Sequence, residues 1–366
     1  MSEAPELGAG EPGRPPRGLG GRDRPHCYAA LDLGTNNCRL LIATPSGSGG
    51  FRIVEAFSRI VRLGEGLTHT GRLQPEAMER AVAALRICAD KVRRRQVVRI
   101  RAVATQACRT AVNGAEFVER VRRETGLELT IITPDEEARL SVAGCLNLLD
   151  PKAHAALVID VGGGSTELSW LSLADDAGAP RARHEVRAWM SAPIGVVTLA
   201  ERFPEPEADK PAWYRAMVET VKAEIHRFEG AESLRGVFAA GRAHIVGTSG
   251  AITSLAGLHL GLRRYDRSRV DGLWMTEGEC RAAADRLLEL GPGGRAAEPC
   301  IGRDRADLVL AGAAILQAVQ ELWPCERVRV ADRGLREGML MALMKNRRRK
   351  HRRRSGGGGG GARAEL

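Results

Sequence analysis

Two stretches of the chain place apolar runs on either side of a turn stripped of bulk. The first reads A-L-D-L-G-T-N-N-C-R-L-L-I-A (30–43) and the second V-I-D-V-G-G-G-S-T-E-L-S-W-L (158–171). In each, an apolar run carries a carboxylate near its end (Asp32, Asp160), small or polar residues follow, and a second apolar run begins. The pattern predicts a β-hairpin whose bare turn lets backbone N–H groups close on an anion beside a metal-binding carboxylate. Because it occurs twice, it predicts a duplicated architecture in which two hairpins face each other across a cleft and grip a phosphate chain from both sides.

The rest of the chain alternates strand and helix patterns, which means α/β. A strand is expected over 51–63, and a helix from Pro75 to about Arg94, with Pro in its first turn and Ala81, Val82, Leu85, Cys88 and Val92 near helical spacing. An alternating strand (97–105) leads into a helix opening at Gln106. A helix over 114–125, a strand over 127–132 and a helix opening at Thr133-Pro134-Asp135-Glu136-Glu137 follow. The second half predicts strands at 155–161, 166–171 and 188–193, a helix at about 211–227, and a strand over 236–246. That strand runs straight into G-T-S-G-A-I-T-S-L-A-G-L, where Gly247, Thr248, Ser249 and Gly250 form a small-residue loop opening a helix, a layout that aims N–H groups at phosphate. Residues 328–344 read as strand, loop and helix, packing back near the cleft.

At 366 residues and 43% hydrophobic, the chain can bury the cores of two domains. No apolar run approaches the roughly 20 residues of a membrane helix. Residues 1–26 are rich in Gly, Pro and Arg, so they are expected to be a disordered leader rather than a secretory signal, and the protein is expected in the cytoplasm. Eight cysteines without a C-x-x-C pair indicate neither zinc nor a disulfide framework. The net charge of +10 is concentrated in residues 345–354 (K-N-R-R-R-K-H-R-R-R), which hold eight cations and precede a Gly run. Residues 345–366 are therefore expected to be a disordered tail, either a solubilising or nonspecific RNA-binding arm, or a polyanion-binding segment.

G-x-G-x-x-G occurs only in the Gly-rich ends (8–13 and 356–361), where no strand precedes it, and the residues after Gly164 alternate as a strand instead of opening a helix, so a dinucleotide-binding reading fails. No G-x-x-x-x-G-K-[S/T] string is present, which excludes a P-loop.

Seven strings in order resemble the exopolyphosphatase/guanosine pentaphosphate phosphatase family of the actin-like (RNase H-like) ATPase superfold. They are Asp32 to Asn37, A-T-Q-A-C-R-T-A-V-N (104–113), E-E-A-R (136–139), V-I-D-V-G-G-G-S-T-E-L, G-T-S-G-A, R-A-D-L-V-L-A-G (305–312) and G-L-R-E-G (334–338). The resemblance covers roughly 27–344. It implies actin-like domain I (27–137), actin-like domain II (138–330), a cleft between them, and a C-terminal helix (331–344) near the cleft. It makes Glu137 the general base and Arg109 a phosphate contact, with Arg305 and Arg336 matching motifs but equally readable as structural ion pairs. Gly34, Thr35, Asn36, Gly162, Gly163, Gly164 and Ser165 become phosphate-binding, and Asp32, Asp160 and Glu167 become ligands of Mg2+. Three departures stand out: Pro134 precedes the acidic run where the family often has Gly, Ser249 and Ala251 replace residues of its G-T-G-G-T loop, and no H-D pair of a metal-phosphohydrolase domain is present.

The expected activity is release of terminal orthophosphate from inorganic polyphosphate, with removal of the 5′ γ-phosphate of guanosine pentaphosphate as the close rival. A kinase of the same superfold would release no phosphate without an acceptor. A non-catalytic polyphosphate or alarmone sensor is opposed by intact Glu137, Asp160 and Glu167. A homodimer is expected.

Overall fold

The computed structural model describes residues 26–47, 50–174, 180–226, 230 and 232–355. The leader and the terminal Gly run, for which disorder is expected, lie outside them.

Strands β1 (Cys27–Leu33), β2 (Asn37–Pro45) and β3 (Phe51–Ile60) form an antiparallel meander. Helices α1 (Leu67–Thr70) and α2 (Pro75–Arg94) lead to β4 (Val97–Ala104), and α3 (Gln106–Thr110) and α4 (Gly114–Thr125) lead to β5 (Leu129–Ile131). Both later strands join in parallel, in the order β3-β2-β1-β4-β5. The apolar stripe of α2, with Ala81, Val82, Leu85 and Cys88, packs against Leu31, Leu40 and Ile42. Helix α5 (Pro134–Cys145) then crosses to a second sheet built on the same plan.

There β6 (Ala155–Val161), β7 (Thr166–Ala174) and β8 (Pro180–Ala192) repeat the meander. After α6 (Val196–Arg202), α7 (Lys210–His226) and α8 (Arg235–Ala239), strand β9 (Ala243–Thr248) pairs in parallel with β6. Next come α9 (Gly250–His259), α10 (Arg267–Val270), β10 (Trp274–Thr276), α11 (Glu277–Ala297), α12 (Val309–Leu322), β11 (Arg327–Ala331) and α13 (Leu335–Ser355). The order β10-β11-β9-β6-β7-β8 contains 8-7-6-9-11, the counterpart of 3-2-1-4-5 in the first sheet. Duplication is thus visible in the strand order, with β10 added at one edge.

Helices α5 and α13 join the halves. Leu140 of α5 packs with Tyr28, Leu41 and the α13 residues Met339 and Leu340 on the first sheet, whereas Val142 and Cys145 pack on Val158 and Val246 of the second. The two helices touch backbone to backbone: a Cβ on Gly338 would stand 2.0 Å from the Leu140 carbonyl oxygen, and one on Gly144 1.9 Å from that of Gly334.

Three expectations need correction. The single strand over 236–246 is instead α8, a turn at Gly241 with φ +65°, and β9; Phe238 is needed in the core, and the left-handed glycine reverses the chain. Strand β8 begins at Pro180, eight residues before the expected start. Finally, the segment from Lys345 continues α13 to Ser355 rather than leaving it as an extended tail. Lys and Arg are good helix formers, cations are favoured at a helix C-terminus, and no Gly or Pro interrupts the run before Gly356.

Candidate active site

The pairing of β1 with β2 sets Asp32 opposite Arg39, and that of β6 with β7 sets Asp160 opposite Glu167, leaving Gly34–Asn36 and Gly162–Ser165 as the two turns. The turns pack on each other. A Cβ on Gly163 would lie 2.9 Å from Thr35 Cβ, and one on Gly164 2.1 Å from Gln106 Oε1. None of these glycines has a left-handed φ, so their bareness serves close approach of one loop to the other. Thr35 donates to Gln106 Oε1 at 3.0 Å, which ties the first loop to α3.

Both loops open onto a cleft of about 800 Å³. Asp32, Gly34, Thr35 and Asn36 line it from the first half, and Asp160, Gly162, Gly163, Gly164 and Ser165 from the second. Thr248, Ser249 and Gly250 close another wall. Gly247 lies within β9, where a Cβ would meet Ile252 Cδ1 at 2.8 Å.

Glu137 reaches this cleft from the first turn of α5. Pro134 occupies the first helical position, where its missing N–H costs nothing, and Thr133 caps the helix by accepting from Glu136 N–H at 3.2 Å. The three first-turn carboxylates then diverge. Asp135 pairs with Arg139 and Glu136 with Arg101, both toward solvent, while Glu137 turns inward and is 9% exposed. Arg109 stands behind it, off the cleft lining: its Nη1 donates to the Ile132 carbonyl at 2.7 Å and to Glu137 Oε2 at 3.2 Å. Burial first, and then the charge of Glu167, pushes the Glu137 carboxyl up to about 9, while Arg109 pulls the other way.

The remaining carboxylates share this electrostatic problem. Burial raises Asp32 to about 6 against the pull of Arg39 and Arg336, and it raises Asp160, whose Oδ2 accepts from Ser141 Oγ. Glu167 is not on the cleft wall. It is buried beneath the glycine loop, where Oε1 accepts from Ser165 Oγ at 2.7 Å and Ser191 Oγ at 2.8 Å; burial and then Asp160 push it up to about 7.

Among the described residues no group of three or more His, Cys, Asp or Glu is placed to hold a metal. The donor set nevertheless fits Mg2+, which takes one or two carboxylates and completes its shell with water and phosphate oxygens. Asp32 and Asp160 would supply the carboxylates, and the buried Asn36 Oδ1 and Asn37 Oδ1 on the same cleft lining have no hydrogen-bond partner.

Two of the cations that face the cleft are Arg39 and Arg336. Both line the cleft, and neither makes a hydrogen bond or ion pair with any described residue. Arg39 was not singled out in the sequence, although its position seven residues after Asp32, opposite it on the hairpin, is a readable signal. Arg336 comes from the loop end of α13, and Arg305 lines the cleft as well.

The departures at Ser249 and Ala251 have local causes. Ser249 caps α9, its Oγ accepting from Ile252 N–H at 2.9 Å, so one N–H of that helix start is already engaged. Ala251 packs where a Cβ on Gly312 of α12 would come within 2.1 Å.

The profile of the Ppx/GppA phosphatase family matches residues 42–347. Exopolyphosphatase 2 of Mycobacterium tuberculosis is 31% identical over 328 residues, covering 86% of this chain and 98% of that protein. Guanosine-5'-triphosphate,3'-diphosphate pyrophosphatase of Aeromonas hydrophila is 31% identical over 320 residues, covering 87% of this chain and 60% of that protein. The crystal structure of the Aquifex aeolicus Ppx/GppA family member superposes with a TM-score of 0.69 at 31% identity, over 88% of this chain and 98% of that one. Paired loops, an inward glutamate and this likeness along most of the chain agree: the protein belongs to the Ppx/GppA phosphatase family, hydrolases of phosphoanhydrides on an actin-like α/β fold.

Proposed function

We propose that the protein is a Mg2+-dependent cytoplasmic exopolyphosphatase that releases orthophosphate from the end of inorganic polyphosphate. The observation that carries this reading is the placement of Glu137, the single inward carboxylate of its helix turn, in a cleft lined by two glycine loops. Water held beside Glu137 gives its proton to the carboxylate as its oxygen bonds to the terminal phosphorus. The bridging P–O bond breaks, and its electrons leave on the shortened chain. Loop N–H groups, Arg39 and Arg336 hold the charge on the transferred oxygens. Asp32 and Asp160 would hold Mg2+, which when bound would supply neutralising charge to the phosphates and to the carboxylate cluster. A base must be ionised, and the charge of Arg109 is the influence beside Glu137 that favours the ionised form.

The polymer is favoured over a nucleotide by the cleft wall. Its one aromatic residue is Tyr265, whose hydroxyl donates to Asp332 Oδ2 at 2.8 Å, and the Ser249 cap occupies an N–H in the first turn of α9. Guanosine pentaphosphate hydrolysis is the second reading, supported by a cleft roomy enough for a nucleotide and by the Aeromonas relative's printed activity. The basic end of α13 fits the polymer too, as a polyanion-binding segment, and a homodimer completes the reading.

Phosphate release from long polyphosphate, guanosine pentaphosphate and ATP, each with Mg2+, tests the proposal. The highest kcat/KM is expected on long polyphosphate. A higher value on pentaphosphate would favour the second reading, and no release from any of the three would remove catalysis altogether.

A further inference from the structure

Each phosphate loop has a segment bonded rigidly to it. The stretch after β3 is tied to the first loop, with Val61 and Arg62 N–H donating to the Asn36 carbonyl at 2.8 and 3.0 Å and Gly64 N–H donating to that of Thr35 at 2.9 Å. Helix α6 is tied to the second, with Val196 N–H donating to the Gly162 carbonyl at 3.0 Å and Val197 N–H to that of Gly163 at 2.8 Å. These two extensions grip each other. Glu201 of α6 accepts from Gly66 N–H at 3.1 Å through Oε1 and from Thr68 Oγ1 at 3.1 Å through Oε2. Arg62 also pairs in bidentate form with Asp307, just before α12, whose Gly312 lies against Val196 of α6; the contacts are Nη1 to Oδ2 at 2.9 Å and Nη2 to Oδ1 at 3.3 Å. Arg62 does so from a φ of +46°, a conformation uncommon outside glycine, and its N–H bond to Asn36 holds it there. None of Arg62, Glu201 and Asp307 lines the cleft; all three border a neighbouring cavity of about 320 Å³.

We propose that Glu201 and the Arg62–Asp307 pair form a clasp that sets the spacing of the two phosphate loops, making them positioning residues for the reaction. This rests on the reading of the cleft as a phosphoanhydride site. A phosphate held from both sides needs both loops at one separation, so a cleft that spends less time at that separation binds more weakly by the fraction lost. A substrate that closes the loops itself still turns over normally once bound. Clasp damage is therefore expected in KM and not in kcat. Glu201 carries most of the effect, because its partners belong to the backbone and hydroxyl of one ordered turn. The Arg62–Asp307 side chains are 36% and 50% exposed, and water screens them.

The test uses tripolyphosphate with Mg2+ and the full chain. Glu201→Ala is expected to raise KM about tenfold, with kcat within about twofold and the melting temperature nearly unchanged. Arg62→Asp faces Asp307 with a like charge and is expected to raise KM by about threefold; adding Asp307→Arg restores the pair with opposite polarity and returns KM to near the original value. Unchanged KM in Glu201→Ala, a fall in kcat alone, or no recovery in the charge-swapped protein would each overturn the clasp. Should the original protein neither bind nor hydrolyse tripolyphosphate, the phosphoanhydride reading falls, and the clasp is decided by X-ray scattering. A larger radius of gyration for Glu201→Ala/Arg62→Asp upholds it, and unchanged scattering removes it.

Discussion

Arg109 Nη1 donates to Glu137 Oε2 at 3.2 Å and to the Ile132 carbonyl at 2.7 Å, so the arginine that the motif offers to phosphate is also the brace of the proposed base. The brace explains how a carboxylate on the first turn of a helix is held inward while its two neighbours point to solvent.

Glu137→Gln keeps the size and the Arg109 contact but removes proton acceptance. It should lower kcat about 10² to 10⁴-fold while leaving the affinity for tripolyphosphate within about threefold. Glu136→Gln, which loses only the contact to Arg101, should retain near-normal turnover. Steady-state kinetics with calorimetric binding separates the two, and near-normal turnover in Glu137→Gln would remove the assignment.

Metal dependence should follow Asp32 and Asp160. EDTA is expected to abolish phosphate release, and Asp32→Asn or Asp160→Asn to raise the Mg2+ concentration needed for half-maximal rate by about tenfold. Titrating the rate against Mg2+ checks this. Variants that respond to Mg2+ as the original protein does would place the ion elsewhere.

Stability should fall in mild acid through a residue far from any proposed chemistry. His244 is 1% exposed and lies 5.4 Å from the Trp274 ring, and burial pulls its pKa down from 6.5 to about 4. An imidazole kept neutral in the folded state and protonated in the unfolded one costs nothing above about pH 6.5. Its penalty grows as pH falls toward 4, to about 3 kcal/mol by the size of the shift. Urea unfolding from pH 7 to pH 4 should show this decline, and His244→Leu should flatten it. Equal slopes in the two proteins would exclude the histidine as the cause.

Truncation after Met344 should weaken binding of long polyphosphate and flatten its dependence on salt, since about eight fewer cations remain to release counterions. Hydrolysis of tripolyphosphate should change little. Filter binding of long chains at about 50 mM and 200 mM salt makes the comparison, and equal affinities with and without residues 345–366 would rule out a polyanion role for this segment.

The two hairpins, the α/β class and the candidate site were legible in the sequence because each depends on local pattern. Apolar alternation around a bare turn makes a hairpin wherever it occurs, and the T-P-D-E-E run places a carboxylate turn at a helix start. The conversion of 236–246 into helix, turn and strand was not legible, because both halves of that segment are apolar and only the packing of Phe238 and the reversal at Gly241 choose between the alternatives. The continuation of α13 through the basic run was not legible for a different reason: the mutual repulsion of its cations favours an extended chain, and helix propensity prevails over it. Within the site, residue types were readable and their directions were not. Asp160 and Glu167 are direct partners on one hairpin, yet one faces the cleft and the other is drawn beneath the loop by Ser165 and Ser191. Arg109 and Arg39 exchange expected prominence in the same way, one braced behind Glu137 and the other facing the cleft. Which way a buried charge turns is set by the partners that solvate it, and those partners come from strands and helices far away in the chain, so only the tertiary structure decides it.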